Sequence, residues 1–304
     1  MDPRDWALVF FTVLTQAAVG AFLILLVIRW PSAREGRQGP AGRAGPLVAV
    51  FAVLCAGLLA ALFHLANPLQ AARAFVNVGS SWLSREIVFG TFFAAFLAAL
   101  VVAEWRVGRT TRWHRVLAGM TAAAGVAFLY CQIQIYLLPS QPAWNSAATP
   151  AAFTATALRL GILGVAVGLV ASRAATGSSD AAAPGREVET AWRTLRGLAL
   201  AGILTLVAEI LVGPLHLASL AGDASPAAAA SAIRLTEDYV AVWVLRLTLL
   251  FVAAAALGGA LVSSRTPAGY RLGGRLTYAA LGLVLLSELC GRFLFYATRV
   301  RVGI

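Results

Sequence analysis

The sequence predicts an all-α membrane protein with eight transmembrane helices, and three observations support this class. Of the 304 residues, 60% are hydrophobic and only 12% are charged, whereas a soluble domain carries roughly 25% charged residues. The mean hydropathy is +0.81, and the apolar residues are gathered into eight long runs separated by Gly, Pro and Arg. Together these features exclude a water-soluble enzyme and a disordered chain.

Each apolar run is long enough to cross a bilayer, since a helix needs about 20 apolar residues to span a hydrocarbon core roughly 30 Å thick. The predicted spans are, in order, Ala7–Ile28, Leu47–Leu65, Ile87–Ala103, Val116–Leu137, Phe153–Ala171, Gly197–Leu217, Tyr239–Val262 and Leu276–Tyr296. The segments between them are too short to fold as a soluble catalytic domain. Any chemistry beyond the membrane must therefore belong to a partner subunit.

The distribution of arginine predicts the orientation of the spans. All 24 basic residues are arginines: fifteen lie in the segments after spans one, three, five and seven, six lie on the opposite side, and three lie within spans. Cytoplasmic loops of membrane proteins carry the excess of basic residues. We therefore predict a multi-pass protein of the inner (cytoplasmic) membrane with both termini outside. The net charge of +11 reflects this topology and a lipid bilayer environment, and it does not indicate a nucleic-acid partner.

A first group of candidate functional residues lies at the outer boundary of spans two and three. His64 closes span two and Glu86 opens span three, and ionisable residues at such positions often mark functional sites. The segment between them is polar, with apolar residues at roughly helical spacing, as in an amphipathic segment at the membrane interface. A histidine that bonds water and a solvated Glu86 paired with Arg85 would explain the same pattern equally well.

A second polar group lies in the later spans. It comprises Glu209 and His216 in span six, Arg246 in span seven, and Glu288 and Arg292 four residues apart in span eight. A buried charge without a partner is costly. The interpretation that we favour is that Arg246 and Glu288 or Arg292 neutralise one another inside the bundle.

The sequence offers few ligands for metals or haem. Cys55, Cys131 and Cys290 are isolated within apolar runs, which argues against iron–sulfur ligation and a zinc site. His64 and His216 are the one histidine pair at similar predicted depth, so a single bis-histidine haem is the most that the protein could hold.

A short internal similarity suggests two four-helix halves. Residues 63–67 (FHLAN) close span two and residues 215–219 (LHLAS) close span six, four spans later and at the same predicted face. Internal repeats of this kind occur in membrane proteins. The protein is predicted to be one integral membrane domain, residues 1–304, with a pseudo-repeat of residues 1–137 and 153–304.

Four stretches of the sequence resemble the membrane anchor subunits of dimethyl-sulfoxide-reductase-type molybdenum enzymes. They are residues 63–77, 81–87, 136–150 and 287–296, which include the sequences FHLANP, SWLSREI, PAWN and SELCGRFLFY. The resemblance implies a subunit without haem, iron–sulfur cluster or metal that binds a quinol, usually menaquinol, near the outer face. It also implies a molybdopterin catalytic subunit and a ferredoxin-like iron–sulfur subunit as partners.

The resemblance further implies roles for individual residues. Family members use a histidine at the position of His64 and a glutamate at that of Glu86 in quinol binding and oxidation. We predict that His64 accepts a proton from the quinol and that Glu86 passes it to the outer aqueous side. Arg85 is predicted to influence the charge of Glu86 or to contact the partner. The other predicted quinol-binding residues are aromatic: Phe63, Phe75, Trp82, Tyr136 and Trp144.

The predicted function is oxidation of menaquinol and electron transfer to the iron–sulfur partner of an anaerobic respiratory complex. The sequence does not set the direction of electron flow, so the same site could work in reverse as a quinone reductase. A small-molecule or proton-coupled transporter is the alternative from another class, since intramembrane Glu, Arg and His also mark substrate paths. The gathering of charges at one face argues against it. A scaffold without quinone chemistry is a third alternative.

Overall fold

The computed structural model describes residues 3–32, 40–63, 76–107, 111–175, 186–263 and 267–302. Within these residues the chain is helical and contains no strand. The helices are α1 (Pro3–Ser32), α2 (Pro40–Leu62), α3 (Trp82–Val107), α4 (Arg112–Tyr136), α5 (Ala148–Ala175), α6 (Arg186–Ala221), α7 (Pro226–Ile233), α8 (Val240–Val262) and α9 (Pro267–Ala297). Eight are long and apolar enough to cross a membrane, which confirms the predicted number of spans. Helix α7 is short and continues into a π-helical turn, Arg234–Asp238.

The start of α3 differs from its prediction in a way that affects the site. The apolar run begins at Ile87, but the helix begins at Trp82. The hydroxyl of Ser81 accepts a hydrogen bond from the backbone N–H of Ser84, 3.3 Å away, as a helix N-cap does. Glu86 therefore lies in the second turn of the helix, where its side chain has a fixed direction.

Helices α1 and α5 form the centre of the bundle and are its two most buried spans. A Cβ atom on Gly20 would overlap the carbonyl oxygen of Ala157, and one on Gly161 would overlap the backbone of Gly20. The two backbones can approach this closely only because both positions are glycine, which is a common device in membrane helix pairs.

The other long helices surround this pair in two sets. Helices α2, α3 and α4 follow one another beside α1, and α6, α8 and α9 follow one another beside α5. Phe22 and Phe93 belong to the apolar core of the first set, with ring centroids 6.0 Å apart. Leu163, Leu206 and Leu257 belong to the core of the second set. The pseudo-repeat of residues 1–137 and 153–304 stays a prediction.

The beginning of α1 and the end of α9 meet at one end of the bundle, which we call the terminal end. Trp6 stacks on Phe293 with ring centroids 5.5 Å apart. The backbone N–H of Val302 donates to the carbonyl of Ser140, between α4 and α5, over 3.0 Å. Because successive spans alternate in direction, the terminal end also carries the first turns of α3, α5 and α8. The side of the membrane that it faces stays a prediction from the arginine distribution.

Candidate functional site

The first predicted site residues lie on the first turns of α3, at the terminal end. Arg85 donates from Nε to the carbonyl of Val78, 2.8 Å away, and from Nη2 to that of Gly79, 2.7 Å away. Its guanidinium lies 4.2 Å from the ring centroid of Trp82, a favourable cation–π arrangement. Trp82 meets Tyr130 of α4 edge to face, at 5.7 Å. Arg85 is thus held against the turn that precedes the helix.

Glu86 lies inside the bundle, although it directly follows Arg85. The residue is only 6% exposed, and the side chain of Gln132 lies beside its carboxyl group. The amide nitrogen of Gln132 also donates to the hydroxyl of Thr15, 2.9 Å away. The alternative in which Glu86 is a solvated partner of Arg85 is therefore wrong.

A series of buried polar side chains, which we call the polar series, connects Glu86 to α9. The Gln16 Nε2 atom donates to Oε1 of Gln132 over 3.2 Å, and Nη2 of Arg292 donates to Oε1 of Gln16 over 2.7 Å. The guanidinium of Arg292 also lies 3.8 Å from the ring centroid of Phe153. The polar series crosses from α3 through α4 and α1 to α9. It joins the first predicted group of polar residues to the second.

The second group forms buried ion pairs around Arg159 of α5, whose side chain is 0% exposed. Its Nη2 atom lies 3.1 Å from Oε2 of Glu209, and its Nη1 atom lies 3.0 Å from Oε1 of Glu288. Arg246 bonds the other oxygen of Glu209. The hydroxyl of Thr156 donates to Oε2 of Glu288 over 2.6 Å. The carboxylates are thus paired inside the bundle, but not as predicted: Arg246 pairs with Glu209, and Glu288 pairs with Arg159. Arg159, which the sequence pattern does not assign to the group, lies at its centre.

A cavity of about 460 Å³ opens beside this ion-pair cluster, near the terminal end. Its charged floor contains Glu209, Arg246, Glu288 and Arg292, and His216 lies on its wall. The aromatic part of the wall is formed by Trp144, Trp243 and Phe295. The polar residues of spans six to eight, dispersed in the sequence, thus line one space.

Two of the predicted quinol-binding aromatics, Tyr136 and Trp144, belong to a buried aromatic cluster at the terminal end. The hydroxyls of Tyr136 and Tyr296 share a hydrogen bond of 2.6 Å. The indole nitrogen of Trp144 donates to the carbonyl of Phe295 over 2.7 Å, and the two rings stack with centroids 5.0 Å apart. These contacts attach the α4–α5 connection to the end of α9. Trp144 borders the cavity, whereas Trp82 lies beside Arg85, and their predicted roles in binding stay predictions.

The segment between α2 and α3 carries the other predicted residues. Phe63 follows the last residue of α2 and is 80% exposed. His64 and Phe75 lie outside the described residues, so their roles in quinol binding stay predictions. The end of α2 and the start of α3 both belong to the terminal end, so the segment starts and finishes at the end of the bundle that holds Glu86.

Metal-ligating side chains are dispersed over the described residues. In that part of the sequence, no group of three or more His, Cys, Asp or Glu residues could hold a metal ion. Cys55, Cys131 and Cys290 form no disulfide. The expectation of a subunit without haem, iron–sulfur cluster or metal stays a prediction.

Comparison with known proteins shows the family. A family model described as DMSO reductase anchor subunit (DmsC) matches residues 1–298. Over 306 residues the protein is 30% identical to the YnfH chain of anaerobic dimethyl sulfoxide reductase from Escherichia coli (strain K12), covering 99% of this protein and 96% of that relative. It is 28% identical over 309 residues to the C chain of anaerobic dimethyl sulfoxide reductase from the same organism, with coverage of 99% and 96%.

A shorter match relates the protein to a subunit of a differently named enzyme. It is 33% identical over 103 residues to the C subunit of sulfite dehydrogenase from Allochromatium vinosum, a match that covers 33% of this protein and 31% of that relative. The family model and the two long matches include nearly every residue and agree with eight apolar helices. The protein therefore belongs to the family of DMSO reductase membrane anchor subunits.

Proposed function

We propose that this anchor subunit oxidises menaquinol at the terminal end of its bundle, in a site that contains Glu86 and His64. The observation that carries the proposal is the burial of Glu86. Placing a carboxyl group inside a membrane helix costs free energy, so such a group usually indicates a functional site. Arg85 does not offset this cost, because its side chain is bound to the carbonyls of Val78 and Gly79.

The chemistry of quinol oxidation fits these residue types. The reaction releases two electrons and two protons, so it needs proton acceptors within hydrogen-bonding reach of the hydroxyl groups. We assign the first acceptor to His64, because imidazole changes charge near neutral pH, and the onward step to Glu86. Trp82, stacked under Arg85, provides an aromatic surface for the quinol ring. The electrons pass to an iron–sulfur cluster of the ferredoxin-like partner, which in turn supplies the molybdopterin subunit.

The names of the relatives support one direction of electron flow. Both relatives that match almost the whole sequence belong to reductases, and a reductase takes up electrons from its anchor. The relative named as a dehydrogenase matches only about a third of the sequence. We therefore favour quinol oxidation over quinone reduction. Menaquinol as the donor, and an inner membrane with the terminal end outside, are implied by the family resemblance and the arginine distribution.

The proposal is tested with the assembled complex reconstituted in liposomes that contain menaquinol, with dimethyl sulfoxide as the electron acceptor. Glu86→Gln should lower quinol-driven turnover and leave activity driven by a reduced dye unchanged, because the dye supplies electrons without using the anchor. Glu104→Gln, at the other end of α3, is the matched control and should retain full quinol-driven turnover. Equal quinol-driven rates in Glu86→Gln and Glu104→Gln would remove Glu86 from the site.

A further inference from the structure

The cavity beside the ion-pair cluster is separate from the proposed Glu86 site and is open to lipid. Its volume of about 460 Å³ lies within the range of roughly 300–1,000 Å³ typical of small-molecule sites. Leu158 of α5 and Val212 of α6 line it and are 39% and 41% exposed on the surface of their spans. A ligand can therefore enter sideways from the hydrocarbon region and leave an apolar tail there.

The depth of the charged floor restricts the headgroup of such a ligand. At a rise of 1.5 Å per residue, Glu209 and Glu288, the deepest groups of the floor, lie about 14–18 Å from the terminal-end limits of α6 and α9, and Arg246 and Arg292 lie about 8–9 Å from those of α8 and α9. Half of the hydrocarbon core is roughly 15 Å thick. The phosphate of a phospholipid stays at the membrane surface, because a charge at this depth is expensive. The floor is accessible to an uncharged headgroup.

The hydrogen-bonding capacity of the floor defines the chemistry of this headgroup. The Nε atom of Arg246, which lines the cavity, is buried and has no hydrogen-bond partner among the described residues. Oε1 of Glu288 faces Nη1 of Arg159 at 3.0 Å, but the pair is not aligned for a hydrogen bond. Unsatisfied buried donors and acceptors are costly. The floor thus favours a ligand with a carbonyl that accepts from an arginine and a hydroxyl that donates to Glu288.

The walls of the cavity suit a flat ring. Trp144 and Phe295 are already stacked, with ring planes 9° apart, and Trp243 lies on the same wall. Aromatic rings of a ligand gain from offset-stacked and edge-to-face contacts with such side chains. The lining therefore combines apolar side chains, aromatic rings and charged groups.

We infer that this cavity is a second binding site, for the ring of a quinone or quinol, distinct from the site of oxidation at Glu86. The choice of a quinone among uncharged amphiphiles rests on the proposed function, which brings this ligand class to the protein. The occupant lies against Arg292, which is bonded to Gln16 and so belongs to the polar series that ends at Glu86. The second site and the oxidation site are thus in contact through buried side chains.

The inference is tested by photolabelling the assembled complex in lipid nanodiscs with an azido-naphthoquinone and mapping the labelled peptides by mass spectrometry. Peptides of α5, α6, α8 or α9 that line the cavity should be labelled, and an excess of unlabelled menaquinone should reduce their labelling at least tenfold. Gly213→Leu should reduce it similarly. Gly213 lines the cavity, and no heavy atom lies within 4 Å of the position that a Cβ atom would take there, so leucine would fill free space.

The matched control is Gly197→Leu, on the same helix, outside the cavity lining and equally free of neighbours. It should leave the labelling of the cavity unchanged. Cavity peptides that stay unlabelled, or labelling that menaquinone does not displace from the unaltered complex, would overturn the second site. If either of these two labelling results were obtained while Glu86→Gln still lowered quinol-driven turnover, the second site would be contradicted and the proposed function would be retained. Displaceable cavity labelling with undiminished turnover in Glu86→Gln supports the second site and contradicts the proposed oxidation site.

Discussion

The guanidinium of Arg292, in the last helix, donates a hydrogen bond of 2.7 Å to the side-chain oxygen of Gln16, in the first. Both residues are buried, at 5% and 1% exposure. Gln16 continues the contact to Gln132, whose side chain lies beside the carboxyl group of Glu86. Buried polar side chains therefore lead from Arg292 in the last helix to Glu86 on α3, the residue that is predicted to pass the proton outward.

Replacement of Arg292 by glutamine should destabilise the subunit. The change removes a charged hydrogen bond to Gln16 and a cation–π contact with Phe153, and a buried bond to a charged group is worth about 1.5–3 kcal/mol. The free energy of unfolding, measured by denaturant titration in detergent, should fall by about this amount. Arg301→Gln, at an exposed position, is the control and should change it by less than about 0.5 kcal/mol. Equal stability of the two variants would mean that the contact contributes nothing.

Arg159→Met should be more damaging than the loss of any other arginine. It leaves Glu209 and Glu288 with Arg246 as the nearest remaining cation of the cluster, and an uncompensated buried charge costs about 3–5 kcal/mol. The combined variant Arg159→Met, Glu288→Gln should recover part of the loss, because Glu209 keeps its partner Arg246 and no unpaired carboxylate remains. The yield of folded subunit in membranes and its melting temperature measure both effects. A combined variant that is less stable than Arg159→Met alone would contradict the ion-pair explanation.

Gly20→Ala should separate α1 from α5. The added methyl group would overlap the carbonyl oxygen of Ala157, and overpacking of this kind costs about 1–3 kcal/mol. The melting temperature of the purified complex should fall. Gly164→Ala is the matched control, since nothing lies within 4 Å of a Cβ atom at that position, and it should melt at the original temperature. A tolerated Gly20→Ala would show that the helices can move apart at little cost.

His64→Ala should lower quinol-driven turnover by about a hundredfold or more, the usual effect of losing a positioned general base. Dye-driven activity and assembly should be unchanged, because neither requires proton transfer from the quinol. His216→Ala, in the wall of the cavity, serves as the comparison and should retain most of the turnover. If His216→Ala lost turnover and His64→Ala retained it, the oxidation site would instead be the cavity, with Glu209, His216 and Glu288 as its polar groups.

Reporter fusions should confirm the predicted orientation. A reporter that is active only in the cytoplasm should work when joined at residue 109 or residue 186, because both positions lie in Arg-rich segments and such segments remain inside. A reporter that is active only in the periplasm should work when joined after residue 302. Periplasmic activity at residue 109 or 186 would place the terminal end in the cytoplasm and contradict quinol oxidation at the outer face.

The number and approximate position of the membrane helices follow from the sequence by itself, because the length of an apolar run is a local property that is compared directly with the thickness of a bilayer. The span predicted at Tyr239–Val262 agrees closely with α8, Val240–Val262. The helix α3 begins five residues before its predicted span, because its first turn is polar and is set by the Ser81 cap instead of by hydropathy. Because Glu86 follows this polar turn, its neighbours in the sequence indicate a solvated side chain, whereas the structure buries it.

The pairing of the polar side chains was decided only by the tertiary structure. Arg292 and Gln16 are 276 positions apart, and Arg159 and Glu209 are 50 apart, so no local pattern indicates that they touch. Arg159 lies in a long apolar run that gives no sign of a partner, yet its burial between α6 and α9 places its guanidinium 3.1 Å from Glu209 and 3.0 Å from Glu288. The order in which helices pack determines which charges meet and where a cavity is left, because a buried charge is stable only beside the partner that another helix brings to it.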